Sequence, residues 1–243
     1  MARSIIPELK RKSHLARLSF KSEIIMSNVV QFPGRRNFLK ATVGVTAGMT
    51  GFTILPESGH SNDTDLFIVG PKKGFSPQVG TLVSEMAFMR AQVLNSVKGM
   101  SQKDLDFLLD DKANRIGALL MHLAAAERFY QYNTFDGLAP AKLPEEWKQK
   151  WDVAMDLGNP ARKAIVENGL DYYLNILTET REKTLEEFRK RDDVWLAAVD
   201  KTWGWGPTNN YCKWFHVTEH EANHNGQIKL LKSRLPGAKP AGE

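Results

Sequence analysis

Three histidines spaced four residues apart, His216, His220 and His224, constrain the C-terminal part of this chain more than any other feature. Only an α-helix stacks residues four apart along one face, with neighbouring Cβ atoms about 5–6 Å apart. The stretch Trp214 to Ile228 is therefore predicted to be helical, with its imidazoles in line. Two such rings can grip one metal ion, and neutral imidazole suits zinc, nickel, iron and copper. Histidines on a polar helix face with no ion are the plainer alternative. A third ring in the line and a fourth histidine elsewhere, His122, shift the balance toward metal.

Charge distribution narrows the classes of partner. The formal net charge is +5, but residues 1–55 hold nine Lys/Arg and two acids, leaving 24 Lys/Arg against 26 Asp/Glu from residue 56 onward. Binding to phosphate backbones needs a concentrated cationic face, so no nucleic-acid partner is expected. The run Arg189-Lys190-Arg191 reads as the solvated end of a helix. Cys212 is the only cysteine. An intramolecular disulfide is thereby excluded, and the residue reads as a small apolar filler rather than a ligand or nucleophile.

The remaining pattern is helical. Leu82, Met86, Met89, Val93 and Val97 recur at three- and four-residue steps, Gly99 is placed to stop that helix, and Ser101 with Asp104 offers a capping box. A second helix is predicted from Asn114 to Tyr132, its apolar face formed by Ile116, Leu119, Leu120 and Leu123, with His122 among them. Asn133 to Lys163 reads as a long connection with one short helix at Glu145–Met155 carrying Trp147 and Trp151. A third helix spans about Leu170 to Lys190. Trp203-Gly204-Trp205-Gly206-Pro207 forms a tight aromatic turn that either covers a pocket mouth or packs beneath its loop. Thr208 or Asn209 caps the fourth helix, which ends near Leu235-Pro236-Gly237. No stretch shows strand alternation. The expected fold is all-α, a four-helix bundle with a long crossover between the second and third helices that lets the third run parallel to the second. The interior of such a bundle commonly holds metal ligands, and a mononuclear catalytic site wants three of them. Arg90, Glu127 and Arg128 either line that cavity or are solvated surface charges.

The N-terminus reads as an address. Arg35-Arg36-Asn37-Phe38-Leu39-Lys40 precedes a weakly apolar stretch, Ala41 to Leu55, of about the length of a signal h-region and short for a membrane span. It resembles a twin-arginine export signal, although Gly34 stands where Ser or Thr is usual, the leader is long and no Ala-x-Ala cleavage site follows. The expected division is a signal segment over 1–55, a linker over 56–77, the bundle over 78–236 and a flexible tail over 237–243. Export through the twin-arginine translocase to the periplasm is expected, with residues 41–55 as a membrane tether if the signal stays uncut.

Ile116-Gly117-Ala118-Leu119-Leu120-Met121-His122-Leu123-Ala124-Ala125-Ala126-Glu127, together with His220-Glu221-Ala222-Asn223-His224-Asn225-Gly226-Gln227-Ile228, resembles the DinB superfamily of metalloenzymes over residues 79–235. That resemblance implies a divalent ion held by His122, His220 and His224, with zinc the leading identity and nickel or iron the alternatives. His216, one turn away, becomes a pocket residue or one that orients a ligand by hydrogen bonding. Relatives include enzymes that attach a low-molecular-weight thiol to an electrophile. The function expected is an exported metal-dependent enzyme, thiol transferase or hydrolase, acting on a small molecule. Export counts against the transferase version, because such thiols are mostly cytoplasmic. A non-catalytic metal-binding or sensing module is the alternative, and the chain also admits a homodimer. His220-Glu221-Ala222-Asn223-His224 formally matches a His-Glu-x-x-His zinc-peptidase signature with Glu221 as base. The extended form of that signature fails at Gln227 and Leu230, so peptidase ranks below the other readings.

Overall fold

Apolar residues at helical spacing produce four long helices in the computed structural model, which describes residues 65–239. They are α1 (Pro77–Val97), α3 (Ile116–Thr134), α7 (Leu170–Phe188) and α9 (Asn210–Lys232). Short helices fill the connections: α2 (Gln102–Leu105), α4 (Glu145–Lys150), α5 (Asp152–Asp156), α6 (Gly158–Ala164) and α8 (Asp193–Ala197). The export signal read from residues 1–55 lies outside the described residues, as do the first part of the linker (56–64) and the end of the tail (240–243). No helix among the described residues is long and apolar enough to cross a membrane.

Side-chain contacts fix the helix directions. Glu127 on α3 meets Arg181 on α7 while Gln131, one turn later, meets Thr184, so α3 and α7 run parallel. Arg90 meets Glu221 and Ser96 meets Asn225, so α1 and α9 also run parallel. Between α3 and α9 the order reverses, with His122 near His220, Tyr130 near His216 and Thr134 near Trp214. The bundle is all-α with up-down-down-up topology, and the long α3–α7 connection makes the parallel pair possible. Gly117 is required where these two helices converge, since a Cβ there would lie 2.6 Å from the Tyr173 hydroxyl oxygen.

Local sequence explains the helix ends. Ser101 and Asp104 form the reciprocal capping box of α2, and Asn209 caps α9 by accepting from the Cys212 amide at 2.8 Å. The N-terminus of α1 is capped from a distance: Asp193 of α8 accepts from Ser76 Oγ, Gln78 N and Val79 N at 2.6, 2.9 and 3.2 Å.

Two expectations need correction. The crossover after α3 contains α4, α5 and α6 rather than one short helix, broken at Trp151 and at Leu157, whose φ of 56° ends α5. Each piece is too short for its periodicity to be readable. A two-residue strand pair, β1 (Val199–Asp200) and β2 (Thr208–Asn209), closes the aromatic turn antiparallel, again too short to show alternation.

The core is divided. One apolar cluster includes Val93, Leu119, Leu123, Trp147, Trp151, Tyr173 and Ile228; another includes Val79, Met86, Tyr130, Phe188 and Trp214. Between them in register on the four helices sit Arg90, Glu127, Arg181 and Glu221, all buried. Arg181 Nε donates to Glu127 at 2.8 Å and its Nη2 to Glu221 at 2.8 Å; Arg90 Nη2 donates to Glu221 at 2.6 Å and to Glu127 at 2.9 Å. Burial would raise the Glu127 carboxyl, but the Arg181 and Arg90 guanidiniums outweigh it and hold it below its usual range. Arg128 stands apart from this layer, half-buried, donating to Gln131 Oε1 at 2.8 Å with its guanidinium 4.2 Å from the Tyr132 ring centre.

Removing one member of this layer strands buried charge. Glu127→Ala is expected to lower the unfolding free energy by about 3–5 kcal/mol. Glu186→Ala, which breaks only exposed pairs with Lys183 and Lys190, should leave the urea midpoint unchanged; equal midpoints for both variants would refute the prediction.

Candidate metal centre

His122 projects from α3 toward the antiparallel α9, which presents His220 and His224 one turn apart. The Nε2 atoms of His122 and His220 are 2.8 Å apart, and those of His220 and His224 are 3.2 Å apart. All three donor atoms lie within 4.8 Å of one another. Three nitrogens around a tetrahedral zinc at 2.0–2.1 Å would stand about 3.3–3.4 Å apart. An ion would therefore require these two edges to open by about 0.1–0.6 Å.

Hydrogen bonds at the far side of two rings set their tautomers. His122 Nδ1 lies 2.9 Å from the Ala154 carbonyl oxygen, and His224 Nδ1 lies 3.0 Å from Gln227 Oε1. A ring that donates from Nδ1 in its neutral form leaves a lone pair on Nε2. His220 can donate a single Nε2 proton to one neighbour, so at least one of the two short contacts between nitrogens has no proton along it and is left repulsive. A cation at the centre converts that repulsion into attraction. The Ala154 carbonyl is available because α5 ends there: the Gly158 amide, which would continue the helix, donates instead to Asn114 Oδ1 at 3.2 Å.

The same surroundings keep the rings neutral. Burial, then the neighbouring His224, lowers His122 to about 4, against a partial upward pull from the Ala154 carbonyl. Burial and the three neighbouring histidines lower His220 to about 3, and burial lowers His224 as well. Neutral imidazole is the form that binds metal.

Beside the triad lies a cavity of about 300 Å³, lined by Phe129, Tyr130, Trp203, Trp205, His216 and His220 among others. His216 stands in its wall, its ring centre 5.1 Å from that of His220, and its Nδ1 pairs with the Tyr130 hydroxyl at 3.0 Å rather than with another histidine. Burial pushes the Tyr130 hydroxyl far above its ordinary value, so it is a neutral donor. The aromatic turn thus lines a pocket, the first of its two expected roles. Cys212, expected as an apolar filler, is exposed on the first turn of α9. Arg90, Glu127 and Arg128 do not line this cavity.

Glu221 does not face the site as a free base. Its Oε1 accepts from Arg90 Nε, Arg90 Nη2 and Arg181 Nη2 at 3.0, 2.6 and 2.8 Å. Sequence reasoning missed Arg181, Thr184 and Tyr130; the residues nearest to a signal were the polar positions Arg181 and Thr184 amid the apolar pattern of α7.

Residues 81–237 match the sequence model of the mycothiol-S-transferase family. The chain belongs to that family. It is one of the DinB-like families, and membership suggests a metal-dependent enzyme. No curated protein matches the chain. A solved structure, a conserved protein from Enterococcus faecalis, is similar at 16% identity over 63% of this chain and 93% of that one, with a TM-score of 0.47. The family match spans α1 to α9 and includes all three converging histidines.

Replacing His122, His220 or His224 by Ala is expected to remove stoichiometric metal from this mycothiol-S-transferase family member while helicity is retained. Elemental analysis of untagged protein checks this, and undiminished metal in all three variants would refute it. A second expectation concerns pH. Because His122 has a folded pKa near 4 against 6.5 unfolded, only the unfolded chain gains its proton as pH falls through that interval. Stability of the metal-free protein is complete above about pH 6.5 and declines toward pH 4, by at most about 1.4 kcal/mol per unit for this group. Urea midpoints of chelated protein at pH 7.5 and 5 measure it; a midpoint that rises on acidification would exclude it.

Proposed function

We propose that this member of the mycothiol-S-transferase family joins the sulfur of a low-molecular-weight thiol to an electrophilic small molecule, using a divalent metal held by His122, His220 and His224. The observation that carries the reading is the convergence of three neutral imidazole nitrogens beside a ligand-sized cavity whose wall includes His220. Zinc is the metal favoured by an all-imidazole, three-nitrogen donor set; nickel and iron share the preference for imidazole. When bound, such an ion lowers the pKa of a thiol or water and polarises an electrophile.

The chain's own residues supply the rest. His122 and His224 are oriented by the Ala154 carbonyl and Gln227. Aromatic side chains beside His220 exclude water, and the Tyr130–His216 pair offers the hydrogen-bonding groups in an otherwise apolar wall. In the transfer, the thiol proton leaves to solvent, a carbon–sulfur bond forms, and the leaving group departs with its bonding electrons. Hydrolysis would use water in place of the thiol at the same site.

The peptidase reading loses its base, because Arg90 and Arg181 hold the Glu221 carboxylate. A non-catalytic metal module requires no adjoining cavity. Incubating zinc-loaded protein with a thiol such as cysteine or N-acetylcysteine and an alkylating electrophile should give the thioether, detected by mass. His220→Ala should slow its formation by more than about a hundredfold, beyond the loss typical of groups that only orient a ligand. No product above the uncatalysed rate at any metal loading would overturn the proposal.

A further inference from the structure

The cavity beside the triad differs from its neighbour across Trp203 and Gly204. That neighbour, about 470 Å³, is lined by Asn133, Asp200, Thr202, Asn210 and Lys213. The cavity at the triad has no charged side chain in its wall, and rings surround it. Burial of the four-charge layer and the pairing of Lys213 with Asp200 at 2.8 Å keep charge out of it.

We infer that this cavity selects a neutral substrate carrying an aromatic ring, held by Trp203, Trp205, Phe129 and Tyr130 with its reactive carbon toward His220. This rests on the reading of the triad as the reacting centre. A cavity of about 150 Å³ lined by apolar groups accepts one benzene; about 300 Å³ takes two fused rings or one ring with a reactive substituent.

The walls suit such a guest. Trp203 meets Trp205 edge to face at 5.8 Å between centres and stands 6.0 Å from Phe129 and 5.9 Å from Tyr130; Trp205 stands 5.1 Å from His216. A ring inserted among them gains edge-to-face contacts beyond simple burial. Trp203 is braced from the other side by Lys213, whose Nζ lies 4.1 Å from the ring centre and is tied to Asn133 and Asp200 at 2.8 Å each. Trp205 is 58% exposed beside this apolar hollow. An indole left in water at the rim is the side chain a ring-bearing guest would cover. In the metal-free protein a charged guest would lose hydration with no charged side chain in the wall to replace it.

The test uses two probes that share a ring system, 2-naphthol and naphthalene-2-sulfonate. They are titrated calorimetrically into zinc-loaded and chelated full-length protein. The inference expects saturable 2-naphthol binding in both forms, at least tenfold tighter than the sulfonate in the chelated protein, where no cation can attract the anion, and at least tenfold weaker in Trp205→Ala. Circular dichroism of that variant should match the parent, since the side chain is largely solvent-facing. Equal affinity for the two probes, or unchanged naphthol affinity in Trp205→Ala, would overturn it. Naphthol bound as expected without any thioether formation would sink the transferase proposal and leave this inference standing. Thioether formation equally fast with benzyl bromide and with bromoacetate, both slowed alike by Trp205→Ala, would sink this inference alone.

Discussion

The buried layer of Arg90, Glu127, Arg181 and Glu221 fixes how the four long helices face one another. Each helix contributes one charge, and each carboxylate receives both guanidiniums. Opposite charges buried between two apolar clusters tolerate little rotation, because a slipped helix would leave an ion unpaired at several kcal/mol. For α9 the consequence is direct. Successive residues on a helix are turned by about 100°, so anchoring Glu221 toward α1 and α7 sends its neighbour His220 toward α3. The layer thereby sets the azimuth of the histidine face without touching the candidate metal centre itself.

The crossover has a comparable part. It is long enough to let α7 run parallel to α3, and its central piece delivers a carbonyl to His122. That oxygen is free because Asn114 takes the amide that would have extended α5, and because Leu157 turns the chain at a φ of 56°. A residue other than glycine at such an angle stores about 1–3 kcal/mol of strain. Packing of Trp147 and Trp151 into the core supports the segment that bears it. Helix termini, usually left to water, here orient a ring at the candidate site.

What could be read from the sequence follows from length and spacing. Four helices of about twenty residues repeat their apolar pattern often enough to be recognised, and the four-residue step of His216, His220 and His224 fixes their common face. Pieces of four to seven residues complete barely one or two turns, so α4 to α6 merge into an apparent connection. The charged layer was legible only as candidates. Arg90 and Glu127 stand out in apolar runs, yet nothing local distinguishes a buried ion from a solvated one until Arg181 and Glu221 arrive from other helices. The His-Glu-x-x-His spacing suggests a base beside a metal for the same reason: a motif gives the spacing along one helix, and the neighbouring helix decides what the glutamate meets.

The physical character of the site is self-consistent. Imidazoles that must stay neutral to offer lone pairs need low polarity around them, and burial is the first cause of the lowered pKa at His122, His220 and His224 alike. The aromatic walls that extend this apolar environment also shape the cavity beside it. Moving Asp200 closer would stabilise protonated histidine and moving Lys213 closer would repel a bound cation, whereas their place on the far side of Trp203 keeps both fields at a distance and uses the ammonium to brace the indole. The proposed preference for a neutral, ring-bearing guest and the readiness of three nitrogens for a cation thus rest on the same low-polarity surroundings.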